Sequence, residues 1–158
     1  MNARIERFPD MRVAFVRHVG PYAACGDAWE SLLPRLGAEG WLAGDVRMIG
    51  LCWDDPEVTA PAQVRYDACV TVDPSFTERD GIGIQTIAGG DYAIATHTGP
   101  WSEVGRTYVD LVGRWLPQSG RELRGEPSLE IYLNDPASTS AEDLLTDICV
   151  PLAPTRRA

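Results

Sequence analysis

The sequence predicts an α+β fold made from one β-α-β-β unit used twice, with pseudo-two-fold symmetry and antiparallel sheets that carry their helices on one face. Three observations predict it. The first is an internal repeat: Ile5, Ala14, His18, Gly20-Pro21, Gly26, Leu32 and Arg35 recur about 79 residues later as Ile84, Ala93, His97, Gly99-Pro100, Gly105, Leu111 and Arg114. After a one-residue insertion the offset becomes about 80, pairing Gly40 with Gly120, Asp55-Pro56 with Asp135-Pro136, Thr59 with Thr139, Asp67 with Asp147 and Cys69-Val70 with Cys149-Val150. The second is period-two alternation that ends in turn chemistry, and the third is a pair of apolar stripes at helical spacing, each opened by Gly-Pro. The copies are too few and too long for a solenoid. The predicted organisation is therefore a single domain over residues 1–158, with repeat one at about 3–72, a linker at about 73–81 and repeat two at about 82–152.

Each copy begins with a short strand, 5–8 or 84–87, which passes through Pro9-Asp10 or Gly89-Gly90 into a longer one, 12–18 or 92–98. Gly-Pro then opens a helix, because a proline at the first helical position gives up an N–H that has no partner there. The first stripe is Tyr22, Cys25, Gly26, Trp29, Leu32, Leu33 and Leu36. The second is Trp101, Val104, Gly105, Tyr108, Leu111, Val112, Trp115 and Leu116. Both follow the i, i+3, i+4, i+7 rule of a helix laid on a core. Pro34 is expected to kink or shorten the first helix, and Pro117 with Gly120 to end the second. Strands at 46–53 and 128–133, Asp-Pro loops, and last strands at 64–72 and 144–150 complete the units.

The stretch Leu129-Glu130-Ile131-Tyr132-Leu133-Asn134-Asp135-Pro136 carries the largest departure from symmetry. Leu129, Ile131 and Leu133 are expected on the core face, with Glu130 and Tyr132 on the other. At the matched positions of repeat one stand Gly50 and Cys52. If these faces meet across the pseudo-two-fold axis, one wall offers a carboxylate and the opposing wall leaves space, which makes a central ligand groove. A solvated acid and a close-packed glycine account for the pattern equally well. His18 and His97 are expected to fix strand-to-helix turns, and Asp67 and Asp147 to make structural hydrogen bonds. Trp101, Tyr22 and Tyr92, near the strand-to-helix junctions, are candidates for a pocket rim, and Trp29 and Tyr108 for core packing.

Composition narrows the function classes. A formal charge of −9 argues against nucleic acid, which is gripped by clustered Lys and Arg, and the one basic tip is Arg156-Arg157. No apolar run is long enough to span a membrane, and the N-terminal stretch has no signal-peptide core, which points to a cytoplasmic protein. Cys25, Cys52, Cys69 and Cys149 lie far apart without a C-x-x-C pair. They read as small buried apolar residues, unbridged, with no metal site and no cofactor implied. No Ser-His-Asp order, H-E-x-x-H or P-loop pattern is present.

His97-Thr98-Gly99-Pro100, Trp115-Leu116-Pro117-Gln118-Ser119-Gly120 and Glu130-Ile131-Tyr132-Leu133-Asn134-Asp135-Pro136 resemble the GyrI-like small-molecule-binding domain. Arg17-His18-Val19-Gly20-Pro21-Tyr22 and Arg65-Tyr66-Asp67-Ala68-Cys69-Val70 are also typical of it. That family includes effector-binding halves of AraC-type and MerR-type transcription regulators and proteins that inhibit DNA gyrase. The resemblance implies two related units around a groove, with Glu130 in the groove meeting ligands that are often lipophilic cations. Together with the symmetry argument and the rim candidates, this gives Glu130, Tyr132, Gly50, Cys52, Tyr92, Trp101 and Tyr108 as the expected ligand contacts. The leading expectation is a standalone binding protein for lipophilic, aromatic or cationic compounds. A hydrolase of strained, cyclopropane-containing molecules with Glu130 as its catalytic acid is the second, and a gyrase-inhibiting protein is the third. No helix-turn-helix module is expected beside the domain, so direct nucleic-acid binding is not.

Overall fold

The computed structural model describes residues 2–155; the basic pair Arg156-Arg157 lies outside the described residues. In chain order the elements are β1 (Ala3–Phe8), β2 (Met11–Val19), α1 (Gly26–Ala38), β3 (Met48–Cys52), β4 (Arg65–Thr71), β5 (Gly83–Ile87), β6 (Gly90–Thr98), α2 (Val104–Tyr108), a π-helical segment (Val109–Trp115), α3 (Leu116–Ser119), β7 (Ser128–Tyr132) and β8 (Leu145–Pro151). The fold is α+β and its strands pair antiparallel, as the alternation predicts.

Two compact units result, and they do not coincide with the two sequence repeats: one comprises 1–9 and 88–158, the other 10–87. The first strand of each repeat is exchanged. β1 pairs with β6, setting Ile5 opposite Ala93, while β5 pairs with β2, setting Ala14 opposite Ile84. Within the units the strand orders are β1-β6-β8-β7 and β5-β2-β4-β3, one topology used twice. Pro9 disfavours a two-residue hairpin between β1 and β2, since such a loop needs positive φ and the proline ring forbids it; Gly89-Gly90 meets that need, yet β5 does not pair with β6 either. Positive φ among the described residues is confined to glycines.

In the unit of residues 10–87, α1 lays Ala28, Leu32 and Leu36 on Ala14, Tyr66, Ala68 and Val70. Burying each leucine contributes roughly 1.5–3 kcal/mol. The expected linker is part of this core: Phe76 is buried, Trp41 meets its ring edge-on at 5.0 Å, and Arg12 Nη2 donates to its carbonyl at 2.9 Å. Pro34 does not end the helix, which runs on to Ala38.

In the other unit, Leu111 packs on Ala93, Ala95, Ile148 and Val150. Here the helix widens into the π-helical segment Val109–Trp115. An i→i+5 turn houses an extra residue without ending the helix, and the segment leads into 114–120, where the repeat offset changes from 79 to 80. The helix ends at Ser119, two residues past Pro117, where the sequence placed its stop. Gly120, at φ 75°, closes the helix in the left-handed conformation.

Both strand-to-helix junctions are built alike. Gly20 and Gly99 sit at φ 139° and 128°, and the preceding histidines close the turn, His18 Nε2 to Pro21 O at 3.0 Å and His97 Nε2 to Pro100 O at 3.1 Å. The Asp-Pro loops match as well: Asp55 Oδ1 accepts the Glu57 N–H and Asp135 Oδ1 the Ala137 N–H, each at 2.8 Å.

Candidate functional site

The site is assembled on β7, β8 and the helical segment of the unit that contains Glu130. Register decides which side chains meet. Glu130 pairs with Ile148, and Ile148 with Ala95; both apolar partners lie under Leu111. Glu130 therefore points to the helix side of its sheet, with Tyr132 one pleat along. This revises the expectation that the helix-covered core lies on the Leu129 face. Leu129 and Ile131 are buried as expected, but on the face away from α2. Leu133 falls beyond the end of β7 and is 48% exposed, so it is not a core residue.

On the helix side, three of the expected residues gather around the acid. Tyr108, at the last position of α2, donates its hydroxyl to Glu130 Oε2 at 3.3 Å, and Tyr132 donates to Oε1 at 3.3 Å. Both bonds are long for O–H···O. Trp101 meets the Tyr132 ring edge-on at 5.4 Å and is 43% exposed, so the aromatic group reaches the surface. A carboxylate flanked by two tyrosines, one of whose rings meets a half-exposed tryptophan, has the chemistry to attract an organic cation by charge and by ring faces. A depression of about 270 Å³ lined by Asp110, Arg114, Trp115 and Gln118 shares no residue with this cluster.

The other expected residues lie elsewhere. Tyr92 is not at a rim: it is 1% exposed, its ring packs against Phe8 at 5.2 Å, its hydroxyl donates to Ala88 O at 2.6 Å, and burial pushes its phenol pKa up. It pairs with Pro151, at the opposite end of β8 from Thr146 and on the face away from Glu130. Gly50 and Cys52 lie on β3 in the other unit, opposite Ala68 and Tyr66, and so also turn to their helix side. There only two positions equivalent to the Glu130 cluster are rings, Tyr22 and Trp29 in place of Trp101 and Tyr108, and both meet Tyr66. Trp29 Nε1 donates to the Tyr66 hydroxyl at 3.0 Å, and Tyr22 meets the Tyr66 ring edge-on at 6.0 Å.

One residue beside this cluster escaped the sequence reading. Thr146 lies between His97 and Tyr132 in the same register row, is 0% exposed, and its Oγ1 has no hydrogen-bond partner. The signal was present at an offset of 80, where Thr146 stands in place of Tyr66.

The buried aspartates are structural. Asp67 accepts two bonds from Arg17 at 2.8 and 3.0 Å, one from Trp53 Nε1 at 2.8 Å and one from Gln85 Nε2 at 2.8 Å. Asp147 accepts from Arg4 Nη2 at 3.1 Å and from Thr96 Oγ1 at 2.5 Å. Asn134 ties the end of β7 to the start of β8, donating to Asp143 O and accepting the Leu145 N–H, both at 3.0 Å. Among the described residues no group of three or more His, Cys, Asp or Glu side chains could hold a metal ion, and no helix is long and apolar enough to cross a membrane.

Comparison with known proteins agrees with this fold. The chain is 38% identical over 105 residues to the probable transcriptional regulator YgiV of Escherichia coli K12, covering 66% of each chain. It is 31% identical over 161 residues to a DNA gyrase inhibitor of Edwardsiella piscicida, covering 96% of this chain and 98% of that one. Among solved structures, the C-terminal domain of EcmrR superposes with a TM-score of 0.78 at 18% identity, covering 98% of both chains. SAV2435 bound to tetraphenylphosphonium superposes at 0.62 with 16% identity, covering 97% of this chain and 94% of that one. These two structures share the fold. The model of the GyrI-like small molecule binding domain matches residues 1–153, and the chain belongs to that family.

Proposed function

We propose that this domain binds lipophilic aromatic cations at the Glu130 cluster, with Tyr108, Tyr132 and Trp101 as the aromatic contacts. One observation carries the reading: the acid is flanked by two phenol hydroxyls at 3.3 Å each, with a half-exposed tryptophan against one of those rings. The other unit has the same topology but a glycine, Gly50, at the acid's position. A charge on only one copy of a symmetric frame is a functional departure, because the frame does not require it. A fold relative that holds tetraphenylphosphonium supports the ligand class.

The test is calorimetry with tetraphenylphosphonium and the neutral triphenylphosphine oxide on wild type and Glu130→Gln. Loss of the charge-assisted contact should weaken the cation by about ten- to a hundredfold and the neutral compound much less. Equal affinities of both proteins for the cation would overturn the reading.

A second reading rests on the near-full-length similarity to a DNA gyrase inhibitor. In it, the acidic surface of the −9 chain engages gyrase itself. A supercoiling assay with the purified chain tests it, and undiminished supercoiling at saturating protein would rule it out.

A further inference from the structure

We infer that Thr146 is a second ligand-contacting group of the Glu130 site, one that selects cations carrying a hydroxyl or comparable hydrogen-bonding group. The inference rests on the Glu130 reading and deepens it.

Thr146 is fully buried, yet its Oγ1 has no partner. Leaving a buried hydroxyl unpaired is costly, and native cores rarely tolerate it without a reason. Its surroundings offer no ready partner. The His97 ring nitrogens are engaged by Thr107 Oγ1 at 2.8 Å and Pro100 O at 3.1 Å. The Tyr132 hydroxyl is turned toward Glu130. Thr146 alternates with Asp147 and shares a face with Ile148 and Val150, so it looks toward α2, as Glu130 does.

The other unit shows what the same position holds when it serves packing alone. Tyr66 has the identical register, between His18 and Cys52. Its ring spans toward the helix and its hydroxyl is paired with Trp29. In the Glu130 unit the ring has moved to the neighbouring strand as Tyr132, a carboxylate has been added, and a short, unsatisfied hydroxyl remains on β8. Tyr132 stands directly across from Thr146 and carries the ring that Trp101 touches, so it is the side chain a ligand displaces to reach that hydroxyl. A ligand that gives Thr146 a partner thereby gains a bond the protein alone does not make.

The experiment uses the full chain with two probes of equal charge, tetraphenylphosphonium and (4-hydroxyphenyl)triphenylphosphonium, against wild type, Thr146→Val, Thr146→Ser and Glu130→Gln. Wild type should prefer the hydroxylated probe by about three- to tenfold. Thr146→Val should erase that preference while keeping affinity for the unsubstituted probe, and its thermal midpoint should rise because an unpaired hydroxyl becomes a methyl group. Thr146→Ser should restore the preference. An identical preference in wild type and Thr146→Val overturns the inference. If Glu130→Gln still weakens both probes in that case, the Glu130 reading stands without it. A wild-type chain that binds neither probe overturns both.

Discussion

Arg4 and Asp147, 143 residues apart, are joined by a bond of 3.1 Å from Nη2 to Oδ2 that ties β1 into the sheet of the repeat it does not belong to. Gln85 plays the matching part in the other unit, donating from β5 to Asp67. Both exchanged strands thus bring a donor to the buried aspartate of the unit they join.

The two donors should not be equally costly to remove. Asp147 accepts from Arg4 and Thr96, whereas Asp67 keeps Arg17 and Trp53 after Gln85 is gone. Arg4→Ala is expected to destabilise by about 1–3 kcal/mol and Gln85→Ala by about 0.5–1.5 kcal/mol. Urea unfolding of both variants checks this, and a larger loss for Gln85→Ala would contradict the assignment.

Acid sensitivity should arise partly from Asp54. Its carboxylate accepts the Arg65 guanidinium at 2.9 and 3.0 Å and the Arg65 N–H at 2.8 Å, and the guanidinium holds its pKa below the ordinary Asp value. A folded pKa below the unfolded one stabilises at pH values above the unfolded pKa, about 3.9, and that contribution fades as pH falls through the folded value. The difference in urea midpoint between wild type and Asp54→Asn should therefore stay constant from pH 7 to pH 5 and shrink below about pH 4. A difference independent of pH would show that the ion pair is not its source.

The thiols should divide into two classes. Cys69 and Cys149 are fully buried, burial drives the Cys69 thiol pKa well up, and Cys25 and Cys52 are partly accessible. Native-state labelling with a thiol reagent should react quickly at Cys25 and Cys52 and slowly at the other pair, and denaturant without reductant should expose all four as reduced thiols. A deficit in denaturant would reveal a bridge.

Trp101 should report on the ligand. Its ring is partly exposed and lies against Tyr132. Trp101→Ala should weaken tetraphenylphosphonium by about two- to fivefold, the worth of one partly solvated cation–π contact. Unchanged affinity would place Trp101 outside the site.

Much of this architecture was legible because it is local. The alternation of β7, the Gly-Pro helix starts, the histidines that close those turns and the Asp-Pro loops each depend on residues a few positions apart. The contrast of Glu130 with Gly50 is not local, but the repeat makes it visible, because the two copies align in one order along the chain. The one-residue insertion was visible as a change of offset between Arg114 and Gly120, and the structure puts a π-helical segment, Val109–Trp115, at the entrance to that stretch.

Other features required the tertiary structure, since they depend on which distant partner wins. β1 and β5 carry the same pattern in both copies, so nothing local says that each pairs with the opposite repeat; the register and the bonds that Arg4 and Gln85 make to the buried aspartates do. Phe76 lies in a stretch that reads as linker, and only the packing of Trp41 on its ring makes it core. Alternation put Glu130 and Tyr132 on one face but could not say that this face meets the helix, because Leu129 and Ile131 are also buried and both faces of β7 are covered. The meaning of Thr146 is likewise a matter of register. A threonine in an apolar strand is unremarkable until pairing sets it between His97 and Tyr132, where a buried hydroxyl has no partner.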